Sequence, residues 1–125
     1  MISNKPCIAI SLRIVKAQNY DETRDALSHD WPQFLENLGI IPIYIPNNLL
    51  NVKNYLSAFE IDGLILSGGD NLGADPVRDK TETELLQYAM SKNIPTLGIC
   101  RGLQLINQYL SLIHISEPTR RTPIS

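Results

Sequence analysis

Among the 125 residues, the segment best suited to carry chemistry is Gly98-Ile99-Cys100-Arg101-Gly102. It has the form G-x-C-x-G with apolar runs on either side, the thiol counterpart of the nucleophile elbow of serine hydrolases. A sharp turn between a strand and a helix lifts the side chain above the sheet, and the flanking glycines remove Cβ atoms that would strike neighbouring backbone. The following helix points its N-terminus at the sulfur and favours the reactive thiolate over the thiol. The N–H of Arg101 would face a bound carbonyl oxygen as it becomes an oxyanion. A lone cysteine is usually a small core hydrophobe. The strand-turn-helix setting separates Cys100 from that class, whereas Cys7, inside an apolar run with no turn or glycine near it, stays within it.

A second glycine-bearing turn, Ser67-Gly68-Gly69-Asp70, follows the apolar Gly63-Leu64-Ile65-Leu66. Such pairs often serve only a tight turn. Beside an elbow in the same sheet, a backbone N–H from Gly68 or Gly69 can complete a two-donor oxyanion hole with that of Arg101. The two His and two Cys of the chain have no zinc spacing, and neither a Walker nor a dinucleotide fingerprint occurs. The chemistry of an elbow calls for no metal and no cofactor.

These turns need elements to hold them. Cys7 to Ser11 is continuously apolar, as in a buried parallel strand, and Leu12 to Asp30 reads as a long polar loop of the kind that often carries function. Trp31, Phe34, Leu35 and Leu38 have helical spacing, with Asp30 as N-cap and Gly39 where a left-handed C-cap belongs. Ile40 to Pro46 reads as a strand in which Pro42 marks the start or an edge position. A weaker helix over Val52 to Phe59, a strand at Gly63 to Leu66, a helix over Thr81 to Lys92 and a strand at Thr96 to Ile99 complete the order. Strands alternating with helices give a parallel sheet covered on both faces. Ligands gather beyond the carboxyl ends of such strands, where both glycine turns lie.

Composition sets the outer bounds. Eleven Lys+Arg against thirteen Asp+Glu leave a net charge of −2, which argues against nucleic-acid or membrane-surface binding through bulk positive charge. Apolar residues at 43% and charged residues at 19% fit a packed core better than a disordered chain. No apolar run approaches the ~18 residues of a membrane span, and Met1 to Pro6 has no signal-peptide pattern. Two cysteines make no disulfide framework, so a reducing cytoplasm is the expected setting.

The stretch Leu64-Ile65-Leu66-Ser67-Gly68-Gly69-Asp70, followed by Ile94-Pro95-Thr96-Leu97-Gly98-Ile99-Cys100-Arg101-Gly102-Leu103-Gln104-Leu105-Ile106-Asn107, resembles class I glutamine amidotransferases, and within them the γ-glutamyl hydrolase branch. The resemblance runs from about Pro6 to Tyr109. It implies the N-terminal portion of a flavodoxin-like α/β sheet and a Cys-His-Glu triad. The thiolate would attack a small-molecule γ-glutamyl amide, release the amine and leave a thioester for water to hydrolyse. Carried over, Cys100 is the nucleophile, Gly69 and Arg101 supply oxyanion-hole N–H groups, and Gly68 and Gln104 are substrate-side contacts. Arg13, Tyr20, Glu22, Arg24, Asp25, Asp30 and Trp31 resemble a narrower group, the γ-glutamyl-CDP-amidate hydrolases. There Arg13 and Arg24 would suit a phosphate, the plainer reading being two solvated loop charges. The alternatives are a glutaminase domain feeding ammonia to a synthase partner and a catalytically dead binding protein of the same fold. A homodimer is equally compatible with the sequence.

After Tyr109 the resemblance ends. His114 and Glu117 do not complete a triad, because the family pair is His-x-Glu and because a helix starting at Cys100 carries the chain ~15 Å away first. Leu110-Ser111-Leu112-Ile113-His114-Ile115-Ser116-Glu117-Pro118-Thr119-Arg120 is the translation of a transposase adapter used in preparing sequencing libraries. The expectation is therefore a partial domain over residues 1–109 and adapter read-through over 110–125. Without a base, this fragment would be inactive, and its parent an enzyme.

Overall fold

A computed structural model describes residues 5–69 and 72–113. Asp70, His114 and Glu117, singled out in the sequence, lie outside the described residues. Strand β1 (Cys7–Ser11) is followed by β2 (Arg13–Lys16) and β3 (Thr23–Ala26), then α1 (Asp30–Asn37), β4 (Ile41–Ile45), α2 (Val52–Leu56), β5 (Gly63–Leu66), α3 (Pro76–Ser91), β6 (Thr96–Gly98) and α4 (Arg101–Ile113). Four strands form a parallel sheet in the order β4-β1-β5-β6. This is the flavodoxin-like arrangement that the resemblance implies. The chain reverses its direction of sheet growth between β1 and β5, so the crevice beyond their carboxyl ends is the expected ligand position.

Alternation along the strands divides the core in two. On one face Ile10 and Ile65 pack against Leu35 of α1, with Trp31 and Ile40 alongside. On the other, Ala9, Leu64 and Leu66 meet Val52 and Leu56 of α2, Leu85, Leu86 and Ala89 of α3 and Leu105 of α4. Each fully buried aliphatic side chain contributes roughly 1.5–3 kcal/mol. Pro42 sits in β4, an edge strand that pairs only with β1 among the described residues, where a missing N–H removes no ladder bond. Gly39 has φ 76° and closes α1 with N–H bonds from Gly39 to Glu36 and from Ile40 to Leu35, the paired bonds of a Schellman cap.

Four sequence expectations need correction. Leu12 to Asp30 is not a plain loop: β2 and β3 pair as an antiparallel hairpin, Arg13 opposite Ala26 and Val15 opposite Arg24. Its strands are short and polar, and the register is stabilised from outside, by Asp25 accepting from the backbone and side-chain N–H groups of Asn47 (2.9 and 2.8 Å). The helix expected from Thr81 starts at Pro76, because Asp75 caps it by accepting from Val77 and Arg78. His29 rather than Asp30 occupies the N-cap of α1. The helix expected to reach Phe59 ends at Leu56. No helix among the described residues is long and apolar enough to cross a membrane.

Candidate active site

The turn between β6 and α4 is held tightly enough to impose an unfavourable backbone on its cysteine. Cys100 has φ 51°, a left-handed conformation that costs a non-glycine residue about 1–2 kcal/mol. Hydrogen bonds fix it from both sides: Ile99 N–H to the Leu66 carbonyl (3.0 Å), Gly102 N–H to Ile99 (3.0 Å) and Gln104 N–H to Cys100 (3.1 Å). The glycines are required by contact. A Cβ on Gly98 would lie 2.5 Å from the carbonyl carbon of Gly102, and one on Gly102 would lie 2.3 Å from the Leu66 carbonyl oxygen. The outcome is an exposed cysteine at the carboxyl end of β6, an edge strand among the described residues. Cys7 lies at the opposite, amino end of β1.

The second glycine turn sits directly beside the first. A Cβ on Gly68 would be 4.0 Å from the Cβ of Cys100. Gly69 has φ 142°, a region open mainly to glycine. Arg101 starts α4, so its N–H belongs to the first helical turn, whose donors have no intrahelical acceptor. The N–H groups of Gly68, Gly69 and Arg101 have no hydrogen-bond partner among the described residues. Unpartnered backbone donors on two adjoining turns thus lie in the neighbourhood of an exposed cysteine.

Behind these turns lies a buried charge network that sequence reading missed. Arg78 on α3 is 1% exposed and Glu82, one turn later, is 0% exposed. Arg78 Nε donates to Glu82 Oε2 (3.1 Å), and its Nη2 donates to the carbonyls of Ser67 and Gly68 (both 2.9 Å) and to Ser67 Oγ (3.2 Å). The guanidinium of Arg101, also buried, pairs with Glu82 Oε1 and Asp79 Oδ1. Burial holds the Arg78 guanidinium below the usual arginine range; Glu82 opposes that shift, and the charges of Arg101 and Arg13 add to it. Ser67 is fixed further by its N–H to Ser11 Oγ (2.9 Å) and its Oγ to the Ser11 carbonyl (2.8 Å).

Of the expected substrate-side residues, Arg13 is close to the turns, its Cβ 3.6 Å from where a Cβ on Gly69 would be. Arg24 lies further along the hairpin, engaged by Glu22 and by Tyr20, over whose ring its guanidinium sits at 5.3 Å. The ladder places Arg13 and Arg24 on one face as diagonal neighbours, a separation of about 7–8 Å between such pairs. Gln104 is exposed on the first turn of α4. The one described histidine, His29, stands before α1, which packs beside β4, at the opposite edge of the sheet from β6. Among the described residues no group of three or more His, Cys, Asp or Glu could hold a metal ion.

Comparison with known proteins identifies the sequences to which the chain is similar. The glutamine amidotransferase-like protein YvdE of Lactococcus lactis subsp. lactis is 35% identical over 89 residues, covering 59% of this chain and 37% of the relative. The γ-glutamyl-CDP-amidate hydrolase of Campylobacter jejuni is 30% identical over 120 residues, covering 87% of this chain and 57% of the relative. The γ-glutamyl-γ-aminobutyrate hydrolase of Escherichia coli K12 is 35% identical over 75 residues, 58% of this chain and 26% of the relative. The chain thus spans between about a quarter and just over half the length of these relatives. Residues 6–111 match the Peptidase C26 family, so the chain belongs to that family of glutamine amidotransferase-like hydrolases, whose members similar to it include γ-glutamyl hydrolases.

Proposed function

We propose that this chain carries the nucleophile and oxyanion hole of an enzyme that hydrolyses γ-glutamyl amides through a cysteine thioester. The observation that carries the reading is the left-handed Cys100 with the glycine turn beside it, a Cβ on Gly68 lying 4.0 Å from that of Cys100. The Cys100 thiolate attacks the γ-carbonyl carbon, and the carbonyl oxygen becomes an oxyanion received by the N–H groups of Gly69 and Arg101. The tetrahedral intermediate collapses as the C–N bond breaks and the amine leaves with a proton. Water then attacks the thioester, releasing glutamate and restoring the thiol. The proton is carried by an imidazole that the described residues do not bring to Cys100. In the product of the source gene, Cys100→Ser abolishes glutamate release from γ-glutamyl amides. Turnover that survives the substitution contradicts the reading.

The leaving group we favour carries phosphate. Arg13 and Arg24 share one face of the hairpin, with Arg13 beside Gly69, and a guanidinium pair suits phosphate oxygens. The Campylobacter jejuni relative, named for a γ-glutamyl-CDP-amidate, supports the same choice. Arg13→Met is expected to raise KM about tenfold for a γ-glutamyl phosphoramidate-type substrate and leave KM for a simple γ-glutamyl alkylamide unchanged. Equal effects on both substrates would remove phosphate recognition from Arg13.

A further inference from the structure

The two turns that supply the oxyanion donors are tied to one buried point on α3, and this connection is made by side chains with no access to substrate. Arg78 reaches the first turn from behind. Its Nη2 holds the carbonyls of Ser67 and Gly68 at 2.9 Å each. In a trans peptide, C=O and N–H point in opposite directions, and the chain has no cis peptide among its described residues. Both carbonyls face the guanidinium, so the N–H groups of Gly68 and Gly69 are turned away from it. The guanidinium also occupies the space a side chain at position 69 would take, since a Cβ there would lie 2.3 Å from Arg78 Nη1. The second turn is held by Arg101, whose N–H is the other donor and whose side chain runs into the interior to Glu82 and Asp79. Glu82 binds both arginines at once, through Oε2 to Arg78 and Oε1 to Arg101.

Resting on the reading of Cys100 as nucleophile, we infer that Arg78 and Glu82 are positioning residues of the oxyanion hole, with Glu82 the common anchor that fixes the spacing of the two donor turns. Neither touches the reacting atoms, because both are sealed from solvent. The choice of side chains follows from geometry. Nη2 of Arg78 contacts Ser67 and Gly68 while its Nε meets Glu82. A guanidinium can donate in several fixed directions, which a lysine ammonium on a flexible stem cannot reproduce. Glu82 between the two guanidiniums, together with Asp79 on Arg101, balances the charge that two buried arginines would otherwise leave unpaired.

The test compares two reagents on Cys100 in the 125-residue chain, with the labelled peptide identified by mass spectrometry. A γ-chloroketone analogue of glutamate is attacked at its carbonyl, builds an oxyanion that the hole stabilises, and then loses chloride as the thioether forms. Iodoacetamide loses iodide by direct displacement with no oxyanion. The ratio of the two rates reports the hole and cancels changes in the thiol itself. Arg78→Lys and Glu82→Gln are expected to lower the ratio at least tenfold relative to the unsubstituted chain. Lys80→Gln, exposed on the same helix, leaves it unchanged. Trp31, packed on the opposite face of the sheet, reports folding by its fluorescence. Where a single substitution unfolds the chain, Arg78→Met with Glu82→Met and Arg101→Met removes all three buried charges together, a replacement that often preserves a fold, and its ratio is expected to fall equally. An unchanged ratio in any folded variant overturns the positioning role. A ratio in the unsubstituted chain no higher than that of free cysteine overturns the nucleophile reading beneath it, a result distinct from the first.

Discussion

At Cys100 the backbone and the chemistry make opposite demands. The φ of 51° suits glycine, yet the position holds a side chain, and the strain is maintained by the clasp of Gly98, Gly102 and Leu66 around it. Cys100→Gly should therefore be more stable than Cys100→Ala by about 1 kcal/mol, measurable by urea unfolding. At an ordinary helical position the order is reversed. Gly102→Ala places a methyl 2.3 Å from the Leu66 carbonyl oxygen and is expected to cost at least roughly 1–3 kcal/mol as an overpacked contact. Gly69→Ala drives its Cβ into Arg78. Disturbing that donor should reduce kcat of the source-gene product by about 10²–10³, with the iodoacetamide rate of Cys100 unaltered.

The elements show where sequence reading succeeds and where it stops. The elbow was legible because glycines at fixed spacing around a cysteine mark a backbone turn, and the left-handed Cys100 with its flanking contacts is what that pattern requires. Gly39 and Pro42 were legible for the same reason, each being a residue with a strong local backbone preference. The hairpin was not. Its register depends on Asn47, over twenty positions away from Asp25 in the chain, and Thr23 to Ala26 has no hydrophobic alternation. The start of α3 was missed although Asp75-Pro76 is an N-cap followed by proline at the first turn. Once that start is in place, Arg78, Glu82, Leu85 and Ala89 fall on one buried face. Two opposite charges four apart on an otherwise apolar face were the available signal of the network. At this scale Glu82→Ala should cost about 3–5 kcal/mol, because two buried guanidiniums lose their shared partner. Asp25→Ala leaves Asn47 only its bond to the Leu12 carbonyl at the root of the hairpin, and a hairpin with so little outside support is marginal in water. Limited trypsin digestion within residues 13–26 should then accelerate while Trp31 fluorescence stays native.

For the molecule as a whole, the sheet arranges function by distance from its centre. β1 and β5 are flanked on both sides and form the rigid floor, while the thiol rides on β6 at the margin, where a neighbouring segment can approach it. On the α1 side of that margin, Phe34, Leu38 and Leu97 are more than half exposed around an apolar hollow of about 450 Å³. The family match covers residues 6–111, and the relatives are longer than the matched region. The imidazole of the proposed mechanism is not among the groups that the described residues bring to Cys100.

The central claim is that Cys100 forms a glutamyl thioester. It is tested most directly by acid-quenching the source-gene product during turnover of a γ-glutamyl amide and locating the adduct by mass spectrometry. The account predicts one glutamyl group on the peptide containing Cys100, absent in Cys100→Ser and with Cys7 unmodified. Turnover with no adduct, or with the adduct on another residue, would contradict it.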